Sequence, residues 1–376
     1  MRLSPAILSA CLAGILNTAA AAAAELGEVR DFSDWSVACD NVRACRAHGF
    51  PAGGASEGFG LRIDRDGDGR SRPRLYVSLD LNWEAPRTGT VTFATEQARI
   101  RTLPVTTAFR VDENAMEIVD PALVQAILAA LRRSSELRVT FAPSPSGADE
   151  PVPAISLSGA SAALLWMDER QQRVGTVSAL ARPGNRPVAI SPLSPPQAPA
   201  PRPLATGDAP PSLSTAAEAA VTARFRGDLK ETCDMDDGPV SNGEEGPEGE
   251  GVRVVHRLTG DVLLVGVRCW RGAYNLSRAY YLVTDGATPT VAPAHFPQPM
   301  KPPTGGTSVP DNILTNMELD ADTGRITHFS KGRGIGDCGE RGEWGWDGAA
   351  FRAVGLHHMP HCRGIVDAWF SLYTTR

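Results

Sequence analysis

Ten prolines fall between Pro183 and Pro211, interleaved with alanine, serine and glycine and almost without large apolar side chains. Proline fixes φ and removes a backbone donor, and small neighbours offer little to bury, so such a run reads as extended, solvated chain. A chain interrupted in this way folds as one unit on each side of the run. The residues divide into an N-terminal domain at 31–182, a Pro-rich linker at 183–212 and a C-terminal domain at 213–376. With 376 residues, 42% of them hydrophobic, each side has enough apolar material for a core of its own.

The chain opens with MRLSPAILSACLAGILNTAAAAAA, which carries one positive charge at Arg2, no acid, and small residues at its end. That is the pattern of a secretory signal peptide, 1–24, cut after Ala24. The alanine run, with Glu25 and Glu28 directly behind it, does not suit a spanning helix, so the chain is not read as an integral membrane protein. A rival reading takes Leu8, Ser9, Ala10 and Cys11 as a lipoprotein box with Cys11 as the lipid anchor, although its apolar run is short. Either route removes Cys11 and leaves Cys39, Cys45, Cys233, Cys269, Cys338 and Cys362. An even set of cysteines in an exported chain is a disulfide framework and belongs in a periplasmic or secreted protein. Sequence alone admits many connectivities. Locality suggests one set that keeps every bridge inside one domain: Cys39 with Cys45, Cys233 with Cys269 and Cys338 with Cys362. A zinc site would want a CxxC-type cluster, which the chain lacks.

Short β-prone runs separated by turn residues fill both halves. In the first, DWSVAC, GFGLRI, RLYVSLDL, GTVTFAT and TAFRV read as strands, with a hairpin turn at Asp112 to Asn114. Two helices interrupt them. One has Asp120 as N-cap, Pro121 at its first position and Val124, Ile127, Leu128 and Leu131 at helical spacing, and the other runs from about Ser161 to Arg173. The second half opens on a helix at Thr215, with Thr215 and Glu218 as a capping box, and continues through VRVVHRL, DVLLVGVRCW, AYYLVT, MELD, RITHFS and a hairpin about Asp347 and Gly348. The fold class is therefore mainly β with a few helices (α+β), arranged as two antiparallel β-rich domains, the first sandwich-like.

A formal net charge of −6, from 37 basic and 43 acidic residues, argues against nucleic acid and anionic lipid as partners. Four local patterns carry candidate chemistry. Gly54 to Gly58 matches GxSxG, but that motif needs a strand entering and a helix leaving, and neither is present. Asp64, Asp66, Asp68 and Gly69 resemble the start of a calcium loop, yet Leu75 stands where a bidentate acid is required, and Arg62, Arg65, Arg70 and Arg72 surround the acids. His357, His358 and His361 lie beside Cys362, and one helical turn would place His357 and His361 together as metal ligands. Pro360 opposes that helix, so a surface loop is preferred over metal. Lys331 to Gly336, KGRGIG, could hold an anion on backbone amides, but it fails the dinucleotide spacing and reads as a connection pinned by Cys338. Trp270, Tyr274, Tyr280, Tyr281, Trp344 and Trp346 concentrate the aromatic content in the second half, where alternate strand positions read as core, with an exposed subset available to a partner.

DFSDWSVACDNVRACRAHGF, LLVGVRCWRGAYN and GRGIGDCGERGEWGWDGAAFRAVGLHHMPHCRGI resemble the exported bacterial family catalogued as domain of unknown function 1176, over nearly the whole mature chain. The resemblance implies export and supplies no activity. The N-terminal half is more distantly similar to the invasion-associated locus B family through its DWxVxC opening, the strand ELRVTF and the run ISLSGASAALLWMD. That second resemblance implies a secreted β-sandwich and carries no catalytic residue. No nucleophile, base and orienting acid occur together, so no catalytic or cofactor residue is assigned. The reading is an exported envelope or secreted non-catalytic interaction protein, whose partner is a protein or envelope component. Its rivals are an envelope hydrolase acting on glycan or peptide, and an inhibitor that plugs a foreign hydrolase with a disulfide-held loop such as Arg333 to Glu343.

Overall fold

The computed structural model describes residues 26–376 except 55–57, 81–82, 113–114, 144–152, 206–210, 234–252, 298–308 and 366–367. The leader, Cys11 and the serine of the GxSxG pattern thus lie outside the described residues, as do Glu113 and Asn114 of the expected hairpin turn.

The chain begins as a meander of β1 (Glu28–Phe32), β2 (Trp35–Cys39), β3 (Cys45–Gly49), β4 (Phe59–Arg65) and β5 (Arg74–Leu79). A second sheet starts with β6 (Thr90–Thr95) and β7 (Arg99–Pro104), and the helical turn α1 (Val105–Ala108) leads to β8 (Phe109–Asp112) and β9 (Ala115–Ile118). These last two return to the first sheet, whose order is β1-β2-β3-β4-β5-β9-β8. Helix α2 (Pro121–Ala130) starts where Asp120 accepts the Leu123 N–H at 2.6 Å with Pro121 in the first turn, as its sequence requires. Then β10 (Glu136–Ala142) and β11 (Ile155–Ser156) complete the second sheet, and α3 (Ala160–Arg170) packs on β1, β2 and β3. The apolar positions alternate inward, so Trp35, Leu61, Ile63 and Val77 of one sheet meet Phe93 and Val139 of the other in one core with Leu164.

Beyond the prolines, α4 (Thr215–Leu229) presents Ala217, Val221, Phe225 and Leu229, each one helical turn apart, to a third sheet. That sheet contains β12 (Arg253–Thr259), β13 (Val262–Arg271), β14 (Leu276–Thr284) and β15 (Thr290–Pro293), with β16 (Ile313–Thr315) also on β14. Adjacent residues point to opposite faces, so Tyr281 joins the α4 core while Tyr280 joins Trp344 and Trp346 of the last sheet. The last sheet is a meander of β17 (Glu318–Asp320), β18 (Arg325–Lys331), β19 (Gly339–Trp346), β20 (Phe351–Met359) and β21 (Phe370–Thr374).

Among the described residues, antiparallel sheets and four α-helices make this the mainly-β, few-helix class expected from the strand runs. Two local expectations need correction, and three strands carry no pattern of their own. The N-cap of α4 is Ser214, whose hydroxyl accepts the Ala217 N–H at 3.2 Å, and Thr215 is already helical. Strands β1, β3 and β7 carry too many polar or small residues to show a β pattern, and their partners hold them in place. The Pro-rich run is extended, but it is tied down: Arg202 and Leu204 donate their amides to the carbonyls of Thr323 and Ala321, and Arg325 reaches the Pro199 carbonyl at 3.0 Å. A turn and a strand end in the second half thus satisfy backbone groups that would otherwise face water.

His328 on β18 accepts the Thr315 N–H of β16 on Nδ1 at 2.8 Å, which clasps the third sheet to the fourth. Burial lowers its pKa to about 4. The unfolded chain binds a proton near pH 6.5 that the folded chain refuses until about pH 4, so this contribution is intact above pH 6.5 and lost as pH falls through that window. His328→Asn keeps an acceptor near Nδ1 and cannot titrate. Its urea midpoint is expected to fall less between pH 7 and 4.5 than that of the parent, by up to about 3 kcal/mol in unfolding free energy. Parallel pH curves for the two proteins would refute the assignment.

Candidate functional site

The last sheet leans against the first along a seam. Gly27 donates its amide to the Leu372 carbonyl at 2.8 Å, the Asn41 side chain pairs with both backbone groups of Thr374, and Arg46 Nη1 reaches the Trp369 carbonyl at 2.7 Å. Ala38 and Phe50 from the first half pack there with Met359, Ile365, Phe370 and Leu372 from the second. At one end of the seam opens a cleft of about 210 Å³, lined by Asp40, Arg46, Asp64, Asp66 and Arg74 on one wall and His357, Trp369 and Ser371 on the other. Two of the patterns singled out in the sequence, the Asp64–Asp68 run and the histidine cluster, are therefore neighbours in space although Asp68 and His357 stand 289 residues apart.

The cleft's charges are committed. Asp64 takes Arg46 on both oxygens, at 2.8 and 3.0 Å, and Arg62 at 3.2 Å, while Asp66 pairs with Arg74 at 3.1 Å. Asp68 accepts the amides of Arg70 and Ser71, so the aspartates brace a strand and its turn and do not converge on a cation. Asp40 turns the chain between β2 and β3 by accepting the amides of Val42 and Ala44, each at 2.9 Å. Burial raises its pKa, against those bonds and with help from the Asp66 charge. His357 stands opposite Ser371 in the β20–β21 register, and burial, then the charges of Arg341 and Arg46, keep its imidazole below its ordinary pKa.

The histidine segment is a strand and a turn, neither a helix nor the surface loop expected from the sequence: His357 and His358 lie in β20. His357 faces the cleft from β20, whereas His361 reaches across the seam to Asp31 at 3.1 Å, so they are not brought together as a ligand pair. Asp31 also accepts from Ser36 Oγ at 2.6 Å, and the His361 bond is the main cause of its lowered pKa. A hydrolytic triad needs the imidazole between hydroxyl and carboxylate; here the carboxylate stands in the middle, so Ser36 has no base. Sequence reasoning missed Asp31, Asp40, Arg46 and Trp369, for which no local signal exists.

The structure pairs Cys39 with Cys45, Cys233 with Cys269 and Cys338 with Cys362. Asp337, Cys338 and Cys362 are the one group of three potential ligands within reach of each other among the described residues, but both sulfurs are in the bridge and the carboxylate is held by Arg333 and the Gly364 amide. That bridge anchors the loop running from Lys331 to Cys338. The inhibitor reading extended this loop to Glu343, whereas Gly339 already begins β19, because its pairing with Lys331 and Met359 closes the sheet. Tyr274 Oη donates to the Gly332 carbonyl at 3.1 Å, Asn275 Nδ2 to the Lys331 carbonyl at 2.8 Å, and Arg333 forks onto Asp337. On this cross-braced base Ile335 is 55% exposed and Tyr274 41% exposed. Trp344 and Trp346, by contrast, are core.

Three disulfides fit an oxidising, exported compartment. Among the described residues no helix is long and apolar enough to cross a membrane. Residues 29–376 match the family described as "Protein of unknown function (DUF1176)". An uncharacterized protein of Escherichia coli (strain K12), YpfG, is 27% identical over 379 aligned residues, covering 92% of this chain and 93% of the relative. No solved structure matches the chain.

Proposed function

The chain belongs to the family of proteins of unknown function DUF1176, and from that premise and the geometry of the seam we propose an exported envelope or secreted protein that works by binding, not turnover. On this reading the first 24 residues are a removed leader, the segments 31–182 and 213–376 are its two domains, and the loop Lys331–Cys338 is its recognition element. The observation that carries it is Ile335, a large apolar side chain held in water on a loop fixed by a disulfide, a bidentate ion pair and the Tyr274 and Asn275 bonds. Rigid presentation lowers the entropy lost on binding, and an exposed apolar anchor supplies the contact energy. In the cleft Asp64 and Asp66 are spent on arginines and Asp40 on backbone amides, which speaks against the envelope hydrolase. Inhibition of a foreign hydrolase is a special case, in which the same apolar tip fills an active site.

The test places a photo-crosslinking amino acid at Ile335 in the native host, with Val177, another exposed apolar residue, as control. The expected result is a discrete adduct in the envelope or medium fraction at Ile335, absent at Val177 and lost when Cys338 and Cys362 are both serine. Equal labelling at both positions, or a hydrolytic activity of the purified protein that His357→Ala removes, would turn the reading toward the enzyme.

A further inference from the structure

His48 lies in the middle of the seam, on β3, opposite Ser36 of β2 and Arg62 of β4. It is fully buried, and neither ring nitrogen has a hydrogen-bond partner. Its ring stacks on Phe50 with centroids 5.7 Å apart and planes 9° apart, and meets Phe370 of β21 edge-on at 5.8 Å. Such a pocket suits a neutral ring. An imidazolium would aim two N–H donors at groups that cannot accept them, the costliest arrangement for a buried charge.

The surrounding charges make this worse. Arg46 comes from the same strand, Arg62 from β4, and Arg363 lies over the Phe50 ring at 4.9 Å. From the second half come two further imidazoles, not counted among these charges: His358 beside Phe370 in the β20–β21 register and His361 in the turn. The carboxylates within reach are engaged elsewhere, Asp64 with Arg46 and Arg62, and Asp31 with Ser36 and His361. A proton on His48 therefore adds a cation among cations. Its two sides are not equally bound: the first and last sheets are each closed by full strand ladders, while the seam between them rests on side chains and isolated hydrogen bonds. Strain introduced at His48 is relieved most cheaply by parting the seam.

We infer that His48 is a proton-operated release, whose protonation separates β20 and β21 from β1, β2 and β3 and uncovers the apolar face formed by Ala38, Phe50, Ile365, Phe370 and Leu372. Burial, then Arg46 and Arg62, hold the closed-state imidazole well below its ordinary pKa. The proton is thus taken up by the open form, and below about pH 6.5 the opening constant rises tenfold per pH unit. This inference stands apart from the recognition loop, and an exported chain would meet such pH changes in its surroundings.

Hydrogen exchange on the full secreted chain, corrected for intrinsic rates, tests it. Between pH 7.5 and 5, protection of the seam amides of Gly27 and Thr374 is expected to fall at least about 30-fold, while the β20–β21 ladder, β13 and β14 keep theirs. His357 and His358, also held low, act in the same direction, so the decisive comparison is with His48→Phe, which keeps the stack and cannot titrate. At pH 5 it should be about 30-fold better protected at the seam than the parent, and His48→Leu serves if the larger ring disturbs folding. A parent whose seam is indifferent to pH, a His48 variant that titrates as the parent does, or a loss spread evenly over the whole chain would each overturn the inference.

Discussion

Asp168→Ala is expected to lower the stability of the first half by about 3–5 kcal/mol, or roughly 10 °C in melting temperature. Asp168 Oδ1 receives Arg65 Nη2 at 2.6 Å, and the two side chains are 1% and 0% exposed. Its other oxygen accepts the amides of Leu180 and Ala181 at 2.7 and 2.9 Å. The same guanidinium donates to Gln171 Oε1 at 2.5 Å and to the Ser178 carbonyl at 2.9 Å, so one ion pair holds the whole return of the chain after α3 against β4. Burial lowers the Arg65 pKa to about 10, which is far too high for the group to escape by losing its proton at neutral pH. Alanine therefore leaves a buried cation without its counter-charge and two buried amides without partners. Removing both charges, as Arg65→Met with Asp168→Leu, should recover part of the loss, because the desolvation cost disappears with the pair. Differential scanning calorimetry of the parent and the two variants decides it, and a loss below about 1 kcal/mol in Asp168→Ala would show that water or local rearrangement replaces the pair.

Helix α2, the hairpin about Gly348 and the ladder of β13 with β14 were legible because their determinants are local: a cap three residues from the amide it serves, a positive φ of 103° at a glycine, alternation along a strand. The cysteine pairs were legible for a similar reason, since each joins segments of one half. The seam was not. Asp31 and His361 are 330 residues apart, and nothing near Asp31 marks it as an acceptor for an imidazole. Asp64 shows how a local pattern misleads: its spacing with Asp66 and Asp68 resembles a cation loop, but its carboxylate is claimed by Arg46, from a strand 18 residues earlier. His48 carries no periodic signal, because its burial arises from a strand at the far end of the chain laid across it. Ile335 was visible only as part of a glycine-rich connection, and its exposure follows from braces contributed by Tyr274 and Asn275. The Pro-rich run was recognised as extended, while its ties to the Thr323 turn depend on carbonyls that no composition argument can locate.

The second large effect concerns the bridge that fastens α4 to its sheet. Cys233 follows the helix by one turn and Cys269 lies on β13, and both are buried in the cluster with Phe225, Leu229 and Val267. Closing 36 residues removes more unfolded-state freedom than closing the 24 between Cys338 and Cys362 or the 6 between Cys39 and Cys45. Chain entropy alone gives about 4 kcal/mol for the first and about 2 kcal/mol for the last. Replacing Cys233 and Cys269 together by alanine should therefore cost the C-terminal half about twice what the equivalent change at Cys39 and Cys45 costs the N-terminal half. Guanidinium unfolding of each double variant, followed by fluorescence, measures the ratio. Cys39 and Cys45 face each other directly across β2 and β3 and their sulfurs fill the first core, so the opposite order would mean that packing at the strand pair outweighs the entropy of the longer loop. In that case the apolar face of α4, with Ala217, Val221, Phe225 and Leu229, carries more of its attachment than the bridge does, and the loss of Phe225 becomes the more damaging change in the second half.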